Sequence, residues 1–95
     1  MFLIKKVYEN DLTALFKVEG EITDHALDYW SEALASLPQQ TNKHVLLDCC
    51  DIAFVSLKIA ERLIQQMTNK IFLLNCPTAI QNLVRAAGFS KQVLE

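Results

Sequence analysis

The 95-residue chain carries nine Lys and Arg against eleven Asp and Glu, a formal net charge of −2, and 52% of its residues are hydrophobic. This length and apolar content predict one domain, residues 1–95, around one core. No basic run alternates with aromatic residues, so we expect no nucleic-acid partner. No apolar stretch reaches the about 20 residues that span a bilayer, and the N-terminus lacks a signal-peptide pattern. We therefore expect a cytoplasmic protein without direct membrane insertion.

The cysteines Cys49, Cys50 and Cys76 match neither a disulfide framework nor the spacing of a zinc site. Each ends an apolar run, where Cys usually serves as a small buried hydrophobe. We interpret all three as reduced, buried thiols, with a redox or metal role as the alternative. His25 and His44 stand apart from other potential ligands, so we expect no metal centre and no cofactor.

The first half of the chain predicts a hairpin and then a helix. Residues 2–8 and 12–18 are β-rich runs around a short polar turn, which favours an antiparallel hairpin. Thr23 is a candidate cap for the helix, and Pro38 with the polar residues after it is expected to end it. The apolar stripe of this helix consists of Ala26, Leu27, Trp30, Ala33, Leu34 and Leu37.

The central segment predicts a buried strand followed by a second helix. Residues 45–50 are apolar except for Asp48, a pattern typical of a central parallel strand. Ser56 is a candidate N-cap, and from Leu57 onward the period becomes helical. The apolar stripe of this second helix is Ala60, Leu63, Ile64 and Met67.

The last third predicts another buried strand over residues 71–76, a third helix beginning near Pro77 and ending at Gly88, and a short edge strand at residues 93–94. A hairpin followed by strand–helix alternation predicts an α/β mixed sheet with parallel central strands and about three main helices. The alternation also fits flavodoxin-like or thioredoxin-like chains, but too few elements are present for the first and no C-x-x-C motif for the second. The predicted core includes Trp30, Leu47, Phe54, Leu63, Leu74 and Leu83.

Four segments, in the same order along the chain, carry a resemblance to a known family. Residues 18–23 (VEGEIT) and 45–48 (VLLD) resemble a strand ending in Gly-Glu-Leu-Asp and a central strand ending in Asp. Residues 51–56 (DIAFVS) precede the position of an Asp-Ser-Ser-Gly signature, and residues 76–89 (CPTAIQNLVRAAGF) are similar to a Ser-Pro-x-x-x-x-x-Leu-x-x-x-Gly-Leu helix. These are motifs of the STAS (anti-sigma-factor antagonist) family, and the resemblance implies a STAS-like fold.

The chain departs from this family at the phosphorylation signature. In the family, the first Ser of Asp-Ser-Ser-Gly is the phosphorylation switch. An ungapped alignment puts Ser56 at the Asp, Leu57 at that Ser, Lys58 at the second Ser and Ile59 at the Gly. Thr23 also replaces the Asp of Gly-Glu-Leu-Asp. The resemblance therefore implies an antagonist-like module that lacks the usual phosphorylatable Ser.

Three residues near this signature have two interpretations each. Ser56 is either an N-cap or a phosphorylation site, since a helix N-terminus and Lys58 would receive a phosphate. Asp48 is either a strand-end carboxylate that accepts hydrogen bonds from loop amides or a polar member of a partner site. Leu57 is either an exposed apolar contact or a side chain that packs on its own loop.

The sequence contains no nucleophile elbow, Gly-rich phosphate loop or fixed carboxylate pair, so we do not expect an enzyme. Two functions are expected: a non-catalytic protein-binding regulatory module with an anti-sigma kinase-like partner, or a STAS-like accessory subunit of a membrane lipid-transport ABC system with an ABC ATPase-like partner. The binding surface is predicted where the carboxyl edge of the sheet meets helix N-termini. Its candidate residues are Thr23, Asp24, Asp48, Ser56, Leu57, Lys58, Cys76 and Thr78.

Overall fold

A computed structural model of the chain describes residues 1–94. Within them, the elements in chain order are β1 (Phe2–Glu9), β2 (Thr13–Ile22), α1 (Leu27–Gln40), β3 (His44–Val55), α2 (Leu57–Gln66), β4 (Ile71–Leu74), α3 (Thr78–Ala86) and β5 (Val93–Leu94). The strands form one sheet in the order β1-β2-β3-β4-β5, in which β1 and β2 are antiparallel and all later pairs are parallel. No helix in this part of the chain has the length and apolar character needed to cross a membrane. The predicted mixed sheet with parallel central strands and three main helices is confirmed.

The β1–β2 hairpin turns at Asn10. Its side-chain Oδ1 accepts hydrogen bonds from the backbone N–H groups of Leu12 (2.9 Å) and Thr13 (2.8 Å). The Asn10 N–H in turn donates to the Thr13 carbonyl at 2.9 Å. The Asn10 side chain therefore accepts hydrogen bonds from backbone N–H groups that the turn would otherwise leave unpaired. This explains the polar residue between the two strands.

The second strand of the hairpin runs past its predicted end at residue 18 and continues to Ile22. Gly20 allows this, since its φ of +101° is a conformation that side-chain-bearing residues rarely adopt. A Cβ at Gly20 would also collide with the backbone carbonyl oxygen of Met1. The Glu21 N–H donates to this same Met1 carbonyl at 3.2 Å, so the start of β1 lies directly against β2 at this point.

Both ends of α1 differ from the prediction. The Thr23 side chain makes no capping hydrogen bond; its carbonyl accepts from the Ala26 N–H at 2.9 Å in a short 3-10 turn, and α1 begins at Leu27. Pro38 lies inside the helix, which ends at Gln40. A proline in the last turn removes only the hydrogen bond to the carbonyl four residues earlier, so the helix continues for two residues beyond it.

The core lies between one face of the sheet and the three helices. Trp30 of α1 connects two of them, because its indole Nε1 donates to the Ile59 carbonyl in α2 at 3.1 Å. The Trp30 ring also meets the ring of Phe2 edge-to-face, with centroids 5.5 Å apart. The buried side chains of the sheet are Ala14, Phe16, Val18, Ile22, Val45, Leu47, Cys49, Ile71, Leu73 and Val93. The largest buried helix side chains are Trp30, Leu34, Leu37, Ile59, Leu63, Ile80 and Val84.

Three of the six predicted core residues, Trp30, Leu47 and Leu63, are buried as predicted. Leu74 is half-buried, because it lies on the opposite face of the sheet from its buried neighbour Leu73. The apolar run predicted that both leucines are buried, but successive side chains of a strand point to opposite faces of the sheet.

The prediction was wrong for Phe54 and Leu83, which are 53% and 37% exposed. Phe54 pairs with the exposed Glu21 of β2, while the next residue, Val55, packs against the core. Leu83 lies at the border of the α3 stripe, whose buried position is taken by its neighbour Val84. Phe54 turns outward at a register shift between β2 and β3, and Leu83 lies just outside the narrow buried stripe of α3.

β3 continues for seven residues beyond the end of its pairing with β4. It pairs with β2 as far as Ile22 and Val55, but with β4 only as far as Asp48 and Leu74. Residues 49–55 therefore have only β2 beside them among the described strands, with two register shifts along the way. We call this projecting part, residues 49–55 of β3 with residues 19–22 of β2, the arm.

Candidate protein-binding site

The tip of the arm brings two loops together. Ile22 and Val55 are paired at the ends of β2 and β3, and the Ser56 N–H donates to the Ile22 carbonyl at 3.1 Å. Thr23, which is half-buried, and the exposed Asp24 therefore follow β2 directly beside the start of α2. The carboxyl ends of parallel strands meet at one edge, and this pair of loops occupies it.

Ser56 is the N-cap of α2. Its backbone is extended (φ −76°, ψ 163°), and its Oγ accepts a hydrogen bond from the Ile59 N–H at 3.4 Å. The Ser56 carbonyl also accepts from the Ala60 N–H at 3.1 Å. The N-cap interpretation of this residue is therefore confirmed, and the half-buried hydroxyl is already used in the first turn of the helix.

Leu57 is the first residue of α2 and is 64% exposed. Of the two interpretations, the structure favours an exposed apolar side chain over one that packs on its own loop. Lys58 beside it is also exposed, and so is Phe54 at the end of the arm. Sequence analysis assigned Phe54 to the core, because the register shift that turns this residue outward leaves no trace in the apolar pattern. We call Thr23, Asp24, Phe54, Ser56, Leu57 and Lys58 the distal rim.

Asp48 lies inside β3, where the pairing with β4 ends, and not at the end of its own strand. Its Oδ1 accepts hydrogen bonds from the Cys50 N–H (3.1 Å) and from the Asn75 side-chain amide (3.3 Å). Burial raises the pKa of the Asp48 carboxyl, but the hydrogen bonds from Cys50 and Asn75 outweigh it, so the pKa is lowered. Asp48 therefore has the role of a carboxylate that bonds neighbouring amides, and sequence analysis missed its partner Asn75.

The cysteines fall into two environments. Cys49 and Cys76 are buried, as predicted, but Cys50 is exposed, contrary to the prediction, because alternate residues of a strand face opposite sides. Hydrogen bonding to Cys76, together with burial, raises the pKa of the Cys49 thiol and keeps it neutral. Since Cys76 is only 7% exposed, its side chain does not reach the surface on which it was placed.

An ion pair connects the middle of β2 to the start of the arm. Lys17 Nζ lies 2.7 Å from the Asp51 carboxylate, with both side chains partly exposed. The hydrogen bond between them raises the pKa of Lys17 and lowers that of Asp51. Between the distal rim and Asp48, the one charged side chain of β3, Asp51, is therefore already paired.

The structure brings together five of the eight predicted site residues and leaves three apart. Thr23, Asp24, Ser56, Leu57 and Lys58 lie at the tip of the arm, whereas Asp48, Cys76 and the exposed Thr78 lie near the end of β4. Along β3, seven residues separate Asp48 from Ser56, roughly 20 Å of strand. The candidate surface is therefore the distal rim alone.

Comparison with protein-family models found no match, and neither did comparison with curated protein sequences. Among solved structures, the chain is similar to the anti-sigma factor antagonist SpoIIAA in its unphosphorylated form, with a TM-score of 0.69, 12% identity, and coverage of 98% of this chain and 88% of that one. For the phosphorylated form of SpoIIAA, the Bacillus cell fate determinant, the TM-score is 0.71 at 12% identity, with 97% and 89% covered. A DUF3478-family protein with a SpoIIAA-like fold from Shewanella loihica PV-4 gives a TM-score of 0.54 at 16% identity, with 93% and 77% covered. The chain therefore has a STAS-like fold, the fold of the anti-sigma factor antagonist SpoIIAA.

Proposed function

We propose that the chain is a non-catalytic regulatory module that binds another protein through the distal rim. The observation that carries this proposal is Leu57, 64% exposed in the first turn of a helix. Phe54, which is 53% exposed, is a second large apolar side chain on the same rim. Covering a side chain of this size contributes about 1.5–3 kcal/mol, so burial of Leu57 and Phe54 by a partner would stabilise a complex.

The proposed interaction is independent of phosphorylation at the rim. Leu57 occupies the position that the resemblance assigns to the phosphorylatable Ser, and it has no hydroxyl. The neighbouring Ser56 hydroxyl accepts a hydrogen bond from Ile59 as the helix cap. The partner is therefore expected to bind without a kinase-controlled switch. By the STAS-like fold, the first candidate for this partner is an anti-sigma kinase-like protein.

The missing hydroxyl also favours a second candidate function, that of an accessory subunit of a membrane lipid-transport ABC system. A subunit that stays bound to its ATPase needs a constant apolar contact and no charge switch at the rim. Leu57 and Phe54 provide such a contact. The partner would then be an ABC ATPase-like protein, and the same surface would bind it.

The test is the variant Leu57→Asp, expressed with an affinity tag in the native host. We expect it to fold as the original chain does, because an exposed side chain is replaced, and to lose its partner, because an unpaired carboxylate in an apolar interface costs several kcal/mol. The matched control is Leu12→Asp, which changes a 75% exposed leucine in the hairpin turn. Quantitative mass spectrometry of the captured proteins, with circular dichroism of each variant, gives the result.

The proposal predicts an ATP-binding protein that the original chain and Leu12→Asp capture equally and that Leu57→Asp does not. A histidine-kinase-like ATPase would identify the first function, and an ABC ATPase the second. Equal capture of every protein by the two folded variants would move the interface away from the distal rim.

A further inference from the structure

β1 is an edge strand with an unused row of hydrogen-bonding groups. It pairs with β2 alone among the described strands, and its regular pairing ends at a bulge after Lys6. The Met1 carbonyl accepts from β2, and successive residues of a strand point their backbone groups to opposite sides. The N–H and C=O groups of Phe2, Ile4 and Lys6 therefore face the free edge.

A groove of about 620 Å³ runs along this edge between β1 and α1. Phe2 and Ile4 contribute its sheet side, and Ala26, Tyr29 and Ala33 contribute its helix side. Tyr29 is 77% exposed, so the groove is open to solvent along the helix. An extended segment placed along the free edge would direct every second side chain into this groove.

The exposed side of α1 beside the groove is acidic, while His25 lines the groove itself. Asp28 and Glu32 are exposed, and neither has an ion-pair partner within residues 1–94. Successive helix positions are about 100° apart, so both carboxylates lie on the solvent-facing side of α1, opposite the buried Trp30, with Glu32 the nearer of the two to Tyr29. No Lys or Arg occurs between residues 24 and 40. The groove therefore favours a segment that is extended, apolar and basic.

We propose that this segment is β1 of a second copy of the chain, paired antiparallel about a twofold axis at Ile4. The register centred on Ile4 uses the whole regular stretch, residues 2–6. It pairs Ile4 with its copy and Phe2 with Lys6, the residues whose backbone groups face the edge, and each such pair exchanges two hydrogen bonds. The groove meets the distal rim at Thr23, but Leu57, which carries the proposed function, is not among the residues that line the groove.

Charge supports this register. Lys6 of the second copy comes opposite Phe2, which packs on Trp30 near the start of α1. Lys6 Nζ lies 2.9 Å from the Glu9 carboxylate of its own chain, and in the dimer this exposed ion pair is exchanged for one with Asp28. Lys5 comes opposite Leu3, so no two lysines face each other across the new pair. Charged edge residues usually discourage strand pairing, but Lys5 already lies 3.6 Å from the Glu19 carboxylate. Residues 2–6 of β1 are thus apolar and basic, while the groove is lined mainly by apolar side chains and the exposed side of α1 beside it is acidic.

The experiment measures the dimer dissociation constant by analytical ultracentrifugation over a range of concentrations. The original chain is expected to dimerise, and Lys6→Glu and Asp28→Lys are each expected to weaken the dimer by roughly tenfold or more. The double variant restores the attraction with reversed charges and is expected to recover most of the loss. Lys91→Glu, near the opposite edge of the sheet, is the charge-matched control.

Hydrogen exchange provides a second measurement, in which the Ile4 and Lys6 amides become protected as the dimer forms. Leu57→Asp is expected to dimerise normally, which separates this inference from the proposed function. A chain that stays monomeric at its highest soluble concentration would overturn the inference. So would a dimer that tolerates both single variants, or one that the double variant fails to recover.

Discussion

At Gly20 the backbone places two independent restrictions on one residue. Its φ of +101° lies in the left-handed region, and its hydrogen atoms face the Met1 carbonyl that β1 places against β2. Gly88 also has a positive φ, +97°, but a side chain there would meet open space. A side chain would therefore strain the backbone at both glycines, but it would collide with a neighbouring atom only at Gly20.

We expect Gly20→Ala to lower the free energy of unfolding by more than the about 1–3 kcal/mol that strain alone costs, because the start of β1 must also move. Gly88→Ala, the matched control, is expected to show the strain cost only. Denaturant unfolding followed by circular dichroism measures both. Equal losses in the two variants would show that the Met1 contact does not restrict residue 20.

At the level of elements, the start of α2 is determined by a local signal, the N-cap residue Ser56. Ser56 caps the helix through the Ile59 N–H, and Leu57 points outward because it lies on the side of the helix away from the buried residues. The buried stripe of Ile59, Ala60 and Leu63 holds the helix on the core. The cap contact is long, 3.4 Å, so its contribution lies at the low end of what such caps provide.

Ser56→Ala is therefore expected to lower the free energy of unfolding by about 0.5–1 kcal/mol, whereas Ser56→Thr, which keeps the hydroxyl, is expected to lose less. Thermal and denaturant unfolding of the three proteins measures the difference. If Ser56→Ala were as stable as the original chain, the Ser56 hydroxyl would be free for another role, and the phosphorylation interpretation would regain support.

Some features of the helices and strands can be predicted from the sequence, and others cannot. The cap at Ser56 and the apolar stripes depend on residues within one turn or strand, so the sequence predicts them. The length of β3, the outward turn of Phe54 and the separation of Cys76 from the rim depend on where β4 stops pairing and where register shifts fall. Those features are set by contacts between distant segments, and no local pattern encodes them.

On the scale of the whole molecule, the described elements share one buried cluster. It includes Phe16 and Val18 of β2, Val93 of β5 and residues from all three helices. The one tryptophan of the chain, Trp30, lies within this cluster and is hydrogen-bonded to α2. Its fluorescence therefore reports on the packing between α1 and α2, while far-ultraviolet circular dichroism reports on all elements together.

We expect the chain to unfold as a single domain, with fluorescence and circular dichroism following one cooperative transition in denaturant. The measurement belongs at a protein concentration where the chain is monomeric, since self-association adds stability. Two separated transitions would show that the hairpin or the last strand–helix unit unfolds on its own, and would contradict the single-domain prediction.

Because β3 projects beyond β4, the distal rim lies apart from the core, and substitutions in these two parts of the molecule have different effects on stability. Substitutions of exposed residues such as Leu57 usually change stability by no more than about 0.5 kcal/mol, whereas truncations in the core cost about 2–5 kcal/mol. The distal rim is therefore free to drift in sequence and acquire a new partner while the fold beneath it persists.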